Sequence, residues 1–237
     1  MSMLPQPPPN APAPPPSRAA IRSRRKRKWL WIVGLFSVVV VVLLSPIFFL
    51  GRRHHHYPIM EALTNARQIG LALFEFETSY GKFPDSTTSV DVITNTGSRL
   101  PLGTKTSNDF FRQLIAAEIA QSESMFYSKT TGVRKPDNVF YSTHALEKGE
   151  CGFTYFLGAM VTDNPGRPIV VAPMIPGTDR FDPLPFEGKA VLLKVDNSVT
   201  SLPIDKHGHV IIDGRNLMDP HHPIWDGHAP SIAWPDL

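Results

Sequence analysis

The sequence has only one cysteine, Cys151, among its 237 residues. A single cysteine excludes an intramolecular disulfide and a zinc site built from several cysteines, so non-covalent packing has to hold the fold together. Glycine-rich phosphate loops and the Gly-x-Ser-x-Gly elbow of serine hydrolases are also missing, and we therefore predict a protein that is not an enzyme. A hydrolase that uses His144 or Cys151 is the least favoured alternative.

Acidic residues are missing from the N-terminal part, because Glu61 is the first of 21. Nine of the 24 basic residues lie at or before Arg53, and the other 15 follow His54. The whole chain has a formal charge of +3, but from His54 onward the formal charge is −6. Since an acidic surface repels phosphates, we expect no nucleic-acid partner for this part of the chain.

Residues 1–28 are predicted to form a disordered cytoplasmic tail. Eight prolines lie in the first 17 residues, with almost no large apolar side chain. This composition is typical of a solvated spacer, although Pro-x-x-Pro spacings also fit an aromatic groove on a partner. Seven basic residues follow between Arg18 and Lys28, and beside an apolar run they favour contact with the membrane surface over contact with nucleic acid.

Residues 29–50 contain no charged side chain. As a helix these 22 residues would be about 33 Å long, enough to cross a hydrocarbon core of ~30 Å. Seven positive charges precede the run and only Arg52 and Arg53 closely follow it, which places the N-terminus in the cytoplasm. We therefore expect an uncleaved signal anchor in the inner, cytoplasmic membrane, with a periplasmic or otherwise extracytoplasmic C-terminal domain.

After a juxtamembrane linker at residues 51–58, residues 59–237 are predicted to form one extracytoplasmic domain. Apolar residues recur at spacings of three and four between Ile59 and Tyr80, which predicts an amphipathic helix of about six turns. Gly81 and Pro84 predict its end.

A second helix is predicted to run from an N-cap at Ser107 or Asn108 to about Ser124. Short apolar runs predict strands at residues 153–160, 168–174, 189–195, 198–204 and 210–212. Asp196 and Asn197 predict a two-residue hairpin turn, because both residues tolerate a positive φ. The order of these elements predicts an α+β fold in which a long amphipathic spine helix packs on a small antiparallel sheet.

Two segments are similar to a known family. Residues 65–73 read NARQIGLAL and residues 80–84 read YGKFP. Together with the apolar run and the late hairpin they resemble the type IV pilin and type II secretion pseudopilin superfamily, particularly pilin-like proteins of planctomycetes and verrucomicrobia. The resemblance implies a pilin-like structural or interaction protein of the cell envelope, with the lipid bilayer and pilin-like or secretion-system proteins as partners.

The sequence departs from this family at the prepilin peptidase motif. Prepilins have a Gly-Phe junction followed by a Glu, whereas this chain has Lys28-Trp29 at the start of the apolar run and no Glu before Glu61. We therefore expect no cleavage at this position.

Histidine and aspartate are concentrated near the C-terminus. A His-x-His pair on a strand directs both imidazoles to one face, and carboxylates can complete a calcium or zinc site. The candidate ligands are His207, His209, Asp213, Asp219, His221, His222, Asp226 and His228. No zinc-protease or EF-hand spacing accompanies them, so we predict no resident cofactor. These residues either hold turns or form the site of an envelope solute- or metal-binding module, which is the alternative function.

Overall fold

The computed structural model describes residues 57–139 and 143–237. The predicted tail, the predicted membrane span and linker residues 51–56 lie outside these ranges. We call residues 57–237 the body. No helix in the described part of the body combines the length and hydropathy that a membrane crossing requires.

Within the described residues three helices come first: α1 (Tyr57–Tyr80), α2 (Thr88–Thr96) and α3 (Ser107–Ala116). They contain 24, 9 and 10 residues. Two short 3-10 helices, Glu123–Phe126 and Pro223–Trp225, lie in the connecting segments.

Seven strands follow: β1 (Thr154–Leu157), β2 (Pro168–Ala172), β3 (Lys189–Lys194), β4 (Val199–Pro203), β5 (Ile211–Ile212), β6 (Arg215–Asn216) and β7 (Ser231–Ala233). Five of them form an antiparallel sheet in the order β4-β3-β2-β1-β7, and β5 pairs with β6.

Helix α1 ends where the sequence predicts. Gly81 has a φ of 80° and its N–H donates to the carbonyl of Glu77 at 2.7 Å, which closes the last turn with a left-handed residue. Ile69, Leu73 and Phe76 are fully buried on the face of α1 that packs against the sheet. The stripe of apolar residues at helical spacing is therefore the buried face of α1.

Helix α3 differs from its prediction at both ends. Its N-cap is Thr106, whose side chain accepts from the N–H of Asp109 while the Asp109 carboxylate accepts from the N–H of Thr106. The helix ends at Ala116 rather than near Ser124, and Glu118, with a φ of 62°, redirects the chain. Helix α2 was not predicted.

The β3–β4 hairpin is confirmed, from the pair Lys189↔Pro203 to the pair Leu193↔Val199. Its turn has three residues rather than two. The N–H of Asn197 donates to the carbonyl of Lys194 at 2.9 Å, and Asn197 alone takes a positive φ, of 62°. This is a type I turn followed by a left-handed residue.

The central strands β2 and β3 are buried on both faces of the sheet. Along β3, Val191 and Leu193 belong to the core that includes residues of all three helices, whereas Ala190 and Leu192 belong to a second core. The second core also contains Trp225, which lies near the C-terminus and donates from Nε1 to the carbonyl of Leu217 at 2.7 Å.

The predicted pilin-like fold, a long spine helix on a small sheet, is therefore wrong. Three helices contribute to one core, the main sheet has five strands, and a C-terminal layer covers its other face. All five residues of β2 are buried, which requires cover on both sides. The prediction failed because the loop-rich C-terminal segment was not recognised as part of the core.

The C-terminal segment also closes one edge of the fold. Strand β7 pairs with β1, and the carbonyl of Trp234 accepts from the N–H of Ser107 at 2.9 Å. The N–H of Asp236 donates to the buried Asn108 side chain at 3.0 Å. The start of α3 and the end of the sheet are thus joined through residues 231–236.

Candidate functional site

The predicted metal ligands His207 and His209 lie in the turn between β4 and β5, not on a strand. Their ring centroids are 6.4 Å apart. One Asp205 oxygen accepts the backbone N–H groups of both residues, each at 2.8 Å. The Asp205 side chain therefore fixes this turn, in the manner of an Asx turn. His209 Nε2 lies 3.8 Å from the carboxylate of Asp179.

His222 is buried and has a structural role. Its Nδ1 accepts from the N–H of Ile224 at 3.1 Å, and its Nε2 donates to the carbonyl of Ile212 at 3.0 Å. Because both ring nitrogens are engaged, this imidazole has no free lone pair for a metal.

The other predicted ligands also lie in turns. Asp213 and Asp226 have positive φ angles of 49° and 51°. Asp219 accepts from the N–H of His221 at 2.9 Å, and the N–H of His228 donates to a backbone carbonyl at 2.9 Å. The fold uses these residues to shape turns.

Three carboxylates converge at a different place, which we call the acidic cluster. It consists of Glu123, Asp137 and Glu150, each of which offers an oxygen within 4.8 Å of the others. Within residues 57–139 and 143–237 this is the only set of three His, Cys, Asp or Glu side chains that meets this condition. Glu123 and Glu150 are each 0% exposed, while Asp137 is exposed.

Backbone groups hold the two buried glutamates. Glu123 Oε1 accepts from the N–H of Leu146, and the N–H of Glu123 donates to the side chain of Asn138 at 3.0 Å. Glu150 Oε2 accepts from the N–H of Glu147 at 2.7 Å. One oxygen of each buried glutamate is therefore held by a backbone N–H. The other oxygen of each side chain is not held by a backbone group of the described residues.

The acidic cluster has more negative than positive charge. Arg134 Nη2 lies 3.1 Å from Glu150 Oε1 and 3.1 Å from the exposed carboxylate of Glu147. Glu123 Oε2 is buried and has no hydrogen-bond partner among the described residues. Burial and the charges of Glu150 and Asp137 raise the pKa of Glu123 more than its backbone hydrogen bonds lower it.

The acidic cluster was missed at the sequence level because its members come from three separate segments with no common periodicity. Two of the three segments have only a local turn signal, Pro136 before Asp137 and Gly149 before Glu150. Nothing in the linear sequence indicates that these turns meet.

Cys151 is not arranged as a nucleophile. Its Sγ is buried and lies 3.6 Å from the hydroxyl of Ser107. Burial raises the pKa of this thiol to about 11, although the Ser107 contact lowers it. Since the thiolate is the nucleophilic form, Cys151 is inert near neutral pH. His144, the other hydrolytic candidate, pairs with Glu147 at 2.9 Å on the surface.

An open groove of about 660 Å³ lies near the C-terminal turns, lined in part by Asp179, Arg180 and Trp234. A carboxylate, a guanidinium and an aromatic ring therefore line the same groove. His209 lies beside Asp179, which connects the groove to the predicted histidine-rich region.

Comparison of the chain with family models, with curated proteins and with solved structures gives no match in any of the three. Function therefore has to be inferred from the residues and contacts of the chain.

Proposed function

We propose that the chain is a single-pass membrane protein with a cytoplasmic N-terminal tail and an extracytoplasmic body, and that it is a non-enzymatic structural or interaction protein of the cell envelope. The observation that carries this proposal is the uncharged stretch at residues 29–50, between seven basic residues and an acidic body. This stretch is long enough to cross a bilayer, and the basic residues favour the cytoplasmic side.

Two features of the body support a non-enzymatic role. The Cys151 thiol is buried and protonated near neutral pH. The histidines and aspartates of the C-terminal region serve mainly in turns. Association with a pilus or a secretion machine depended on the pilin-like fold, and since that fold is wrong, the proposal is limited to the cell envelope.

Cysteine labelling in cells tests the orientation. Leu184 is 83% exposed, so a cysteine in Leu184→Cys should react with a membrane-impermeant maleimide while the cytoplasmic membrane is intact. The matched variant Ser17→Cys should react only after lysis. The native Cys151 should not react with the maleimide, because its side chain is 0% exposed.

The opposite labelling pattern would show that the orientation is reversed. Release of the protein from membranes by alkaline carbonate would contradict the anchor itself. The intact mass of the labelled protein shows whether the N-terminal tail is still attached, which the Ser17→Cys comparison requires.

A solute- or metal-binding module is a second candidate, because the groove beside Asp179 and His209 combines charged and aromatic groups. An increase in the melting temperature of the full-length protein with zinc, lost in His209→Ala, would favour this function.

A further inference from the structure

The acidic cluster contains an oxygen that the fold leaves unused. Glu123 is 0% exposed, its Oε1 is occupied by the N–H of Leu146, and its Oε2 has no donor among the described residues. A buried carboxylate oxygen without a partner is costly, because it has lost its hydration and gained nothing in return.

The neighbours of Glu123 make its position more unfavourable. Asp137 and Glu150 each place an oxygen within 4.8 Å of it, and their charges raise its pKa. One guanidinium, that of Arg134, faces this group, and it contacts Glu150 rather than Glu123. A cation between the three carboxylates would offset their mutual repulsion and would give Glu123 Oε2 the contact that it lacks.

The donor atoms define the kind of cation. All three ligands are carboxylates, which favours a hard divalent ion over zinc or copper. Glu123 begins a 3-10 helix and the other two ligands lie in irregular segments. Their oxygens lie within 4.8 Å of one another, a span that two Ca–O bonds of about 2.4 Å can bridge. Magnesium requires shorter bonds and near-ideal octahedral geometry.

We propose that Glu123, Asp137 and Glu150 form a calcium site that ties together the segments around residues 123, 137 and 150. The site differs in position and in ligands from the C-terminal histidines and aspartates. It does not depend on the membrane orientation proposed above.

Arg134 occupies part of the site when calcium is absent. Its guanidinium is on the surface, with 55% of the side chain exposed, and bridges Glu147 and Glu150. Calcium displaces it from Glu150, and Glu147 keeps it as an exposed ion pair. Calcium then supplies the buried Glu150 carboxylate with the positive charge that the guanidinium provided.

Calcium titration of the full-length protein in detergent, after removal of divalent ions with EDTA, tests this proposal. We expect one calcium per chain by calorimetry. The melting temperature should rise by about 5 °C or more when free calcium exceeds the Kd a hundredfold. Magnesium at the same concentration should produce a much smaller rise.

Two variants locate the site. Glu123→Gln retains the acceptor for Leu146 but removes the charge, so without calcium it should melt at or above the parent and bind calcium at least tenfold more weakly. Asp137→Asn changes an exposed ligand with no effect on the core and should weaken binding as well. The control Asp219→Asn, an exposed aspartate outside the acidic cluster, should bind calcium like the parent.

Two outcomes would overturn the proposal. The first is a parent protein that shows neither binding heat nor a rise in melting temperature. The second is binding that survives Glu123→Gln and Asp137→Asn but is lost in Asp219→Asn, which would move the site to the C-terminal turns.

Discussion

The hydroxyl of Tyr155 shows how individual buried polar atoms are satisfied in this fold. It donates to the carbonyl of Pro84 at 3.0 Å, and the side chain is 1% exposed. Burial, with the nearby charge of Asp85, raises the pKa of this phenol, so it remains a hydrogen-bond donor at neutral pH. The bond joins strand β1 to the segment after α1.

Tyr155→Phe should lower the free energy of unfolding by about 1 to 2 kcal/mol, because it leaves the Pro84 carbonyl buried without a donor. Urea unfolding of the full-length protein measures this loss. Tyr80→Phe is the matched control, since Tyr80 stacks on Phe76 at 4.4 Å and its hydroxyl has no hydrogen bond among the described residues. An equal loss in both variants would show that the Pro84 contact contributes nothing.

At the scale of the element, helix α2 depends on a cap that precedes it. One Asp85 oxygen accepts from the N–H of Thr88 at 2.9 Å, and the Thr88 hydroxyl accepts from the N–H of Asp85 at 2.9 Å. The other Asp85 oxygen lies 2.8 Å from Lys82 Nζ. Burial alone would raise the pKa of Asp85, but the hydrogen bonds from Lys82, Thr88 and Thr87 lower it to about 2.

The cap predicts a defined pH dependence. Because the pKa of Asp85 is lower in the folded than in the unfolded chain, its contribution is full above about pH 4 and is lost as the pH falls towards 2. Asp85→Asn should therefore lower the free energy of unfolding by about 1 to 2 kcal/mol at pH 7, allowing for partial exposure of the carboxylate, and by less in acid.

Denaturant unfolding of parent and variant between pH 2 and pH 7 checks this expectation. Asp91→Asn, within helix α2, should change stability by only about 0.5 kcal/mol or less. A constant difference between parent and Asp85→Asn over the whole range would contradict the linkage to Asp85.

The elements that could be predicted from the sequence are those with local signals. The apolar residues that recur at helical spacing between Ile59 and Tyr80, followed by Gly81, were sufficient to predict α1. The β3–β4 hairpin was clear from its flanking apolar runs, although the turn length was wrong because only Asn197 takes the positive φ. Helix α2 was missed because its cap, Asp85, lies before a run of serines and threonines.

The parts that were not predictable depend on contacts between distant residues. Strand β7 is three residues long, and it is a strand only because Ile232 pairs with Phe156. The same reason applies to the acidic cluster, since Glu123 and Glu150 meet through tertiary structure alone. Conversely, His207 and His209 suggested a site, but their local sequence specifies a turn.

At the scale of the whole molecule, the two cores share one sheet. Leu73 of α1 lies in the core on the helix side, and Leu192 of β3 lies in the core on the other side; both are 0% exposed. Because β3 contributes to both cores, loss of packing on one face weakens the other. We expect the body to unfold in one cooperative transition.

Leu73→Ala and Leu192→Ala should each lower the free energy of unfolding by about 2 to 5 kcal/mol. Far-UV and near-UV circular dichroism of the full-length protein should give the same midpoint within each variant. Leu71→Ala, on the exposed face of α1 with 64% of the side chain exposed, should stay within about 0.5 kcal/mol of the parent. Separate midpoints for the two probes would show that the two cores are independent.

The pairing of β7 with β1 also sets the time at which the body can fold. Strand β1 is synthesised well before β7, so in the nascent chain one edge of β1 has no partner until residues 231–233 arrive. The N–H of Ser107 likewise lacks its acceptor until Trp234 has been synthesised, and Oδ1 of Asn108 lacks its donor until Asp236 has been synthesised. The β1 edge therefore stays incomplete until residues 231–236 have been synthesised, which leaves it exposed to neighbouring nascent chains in the interval.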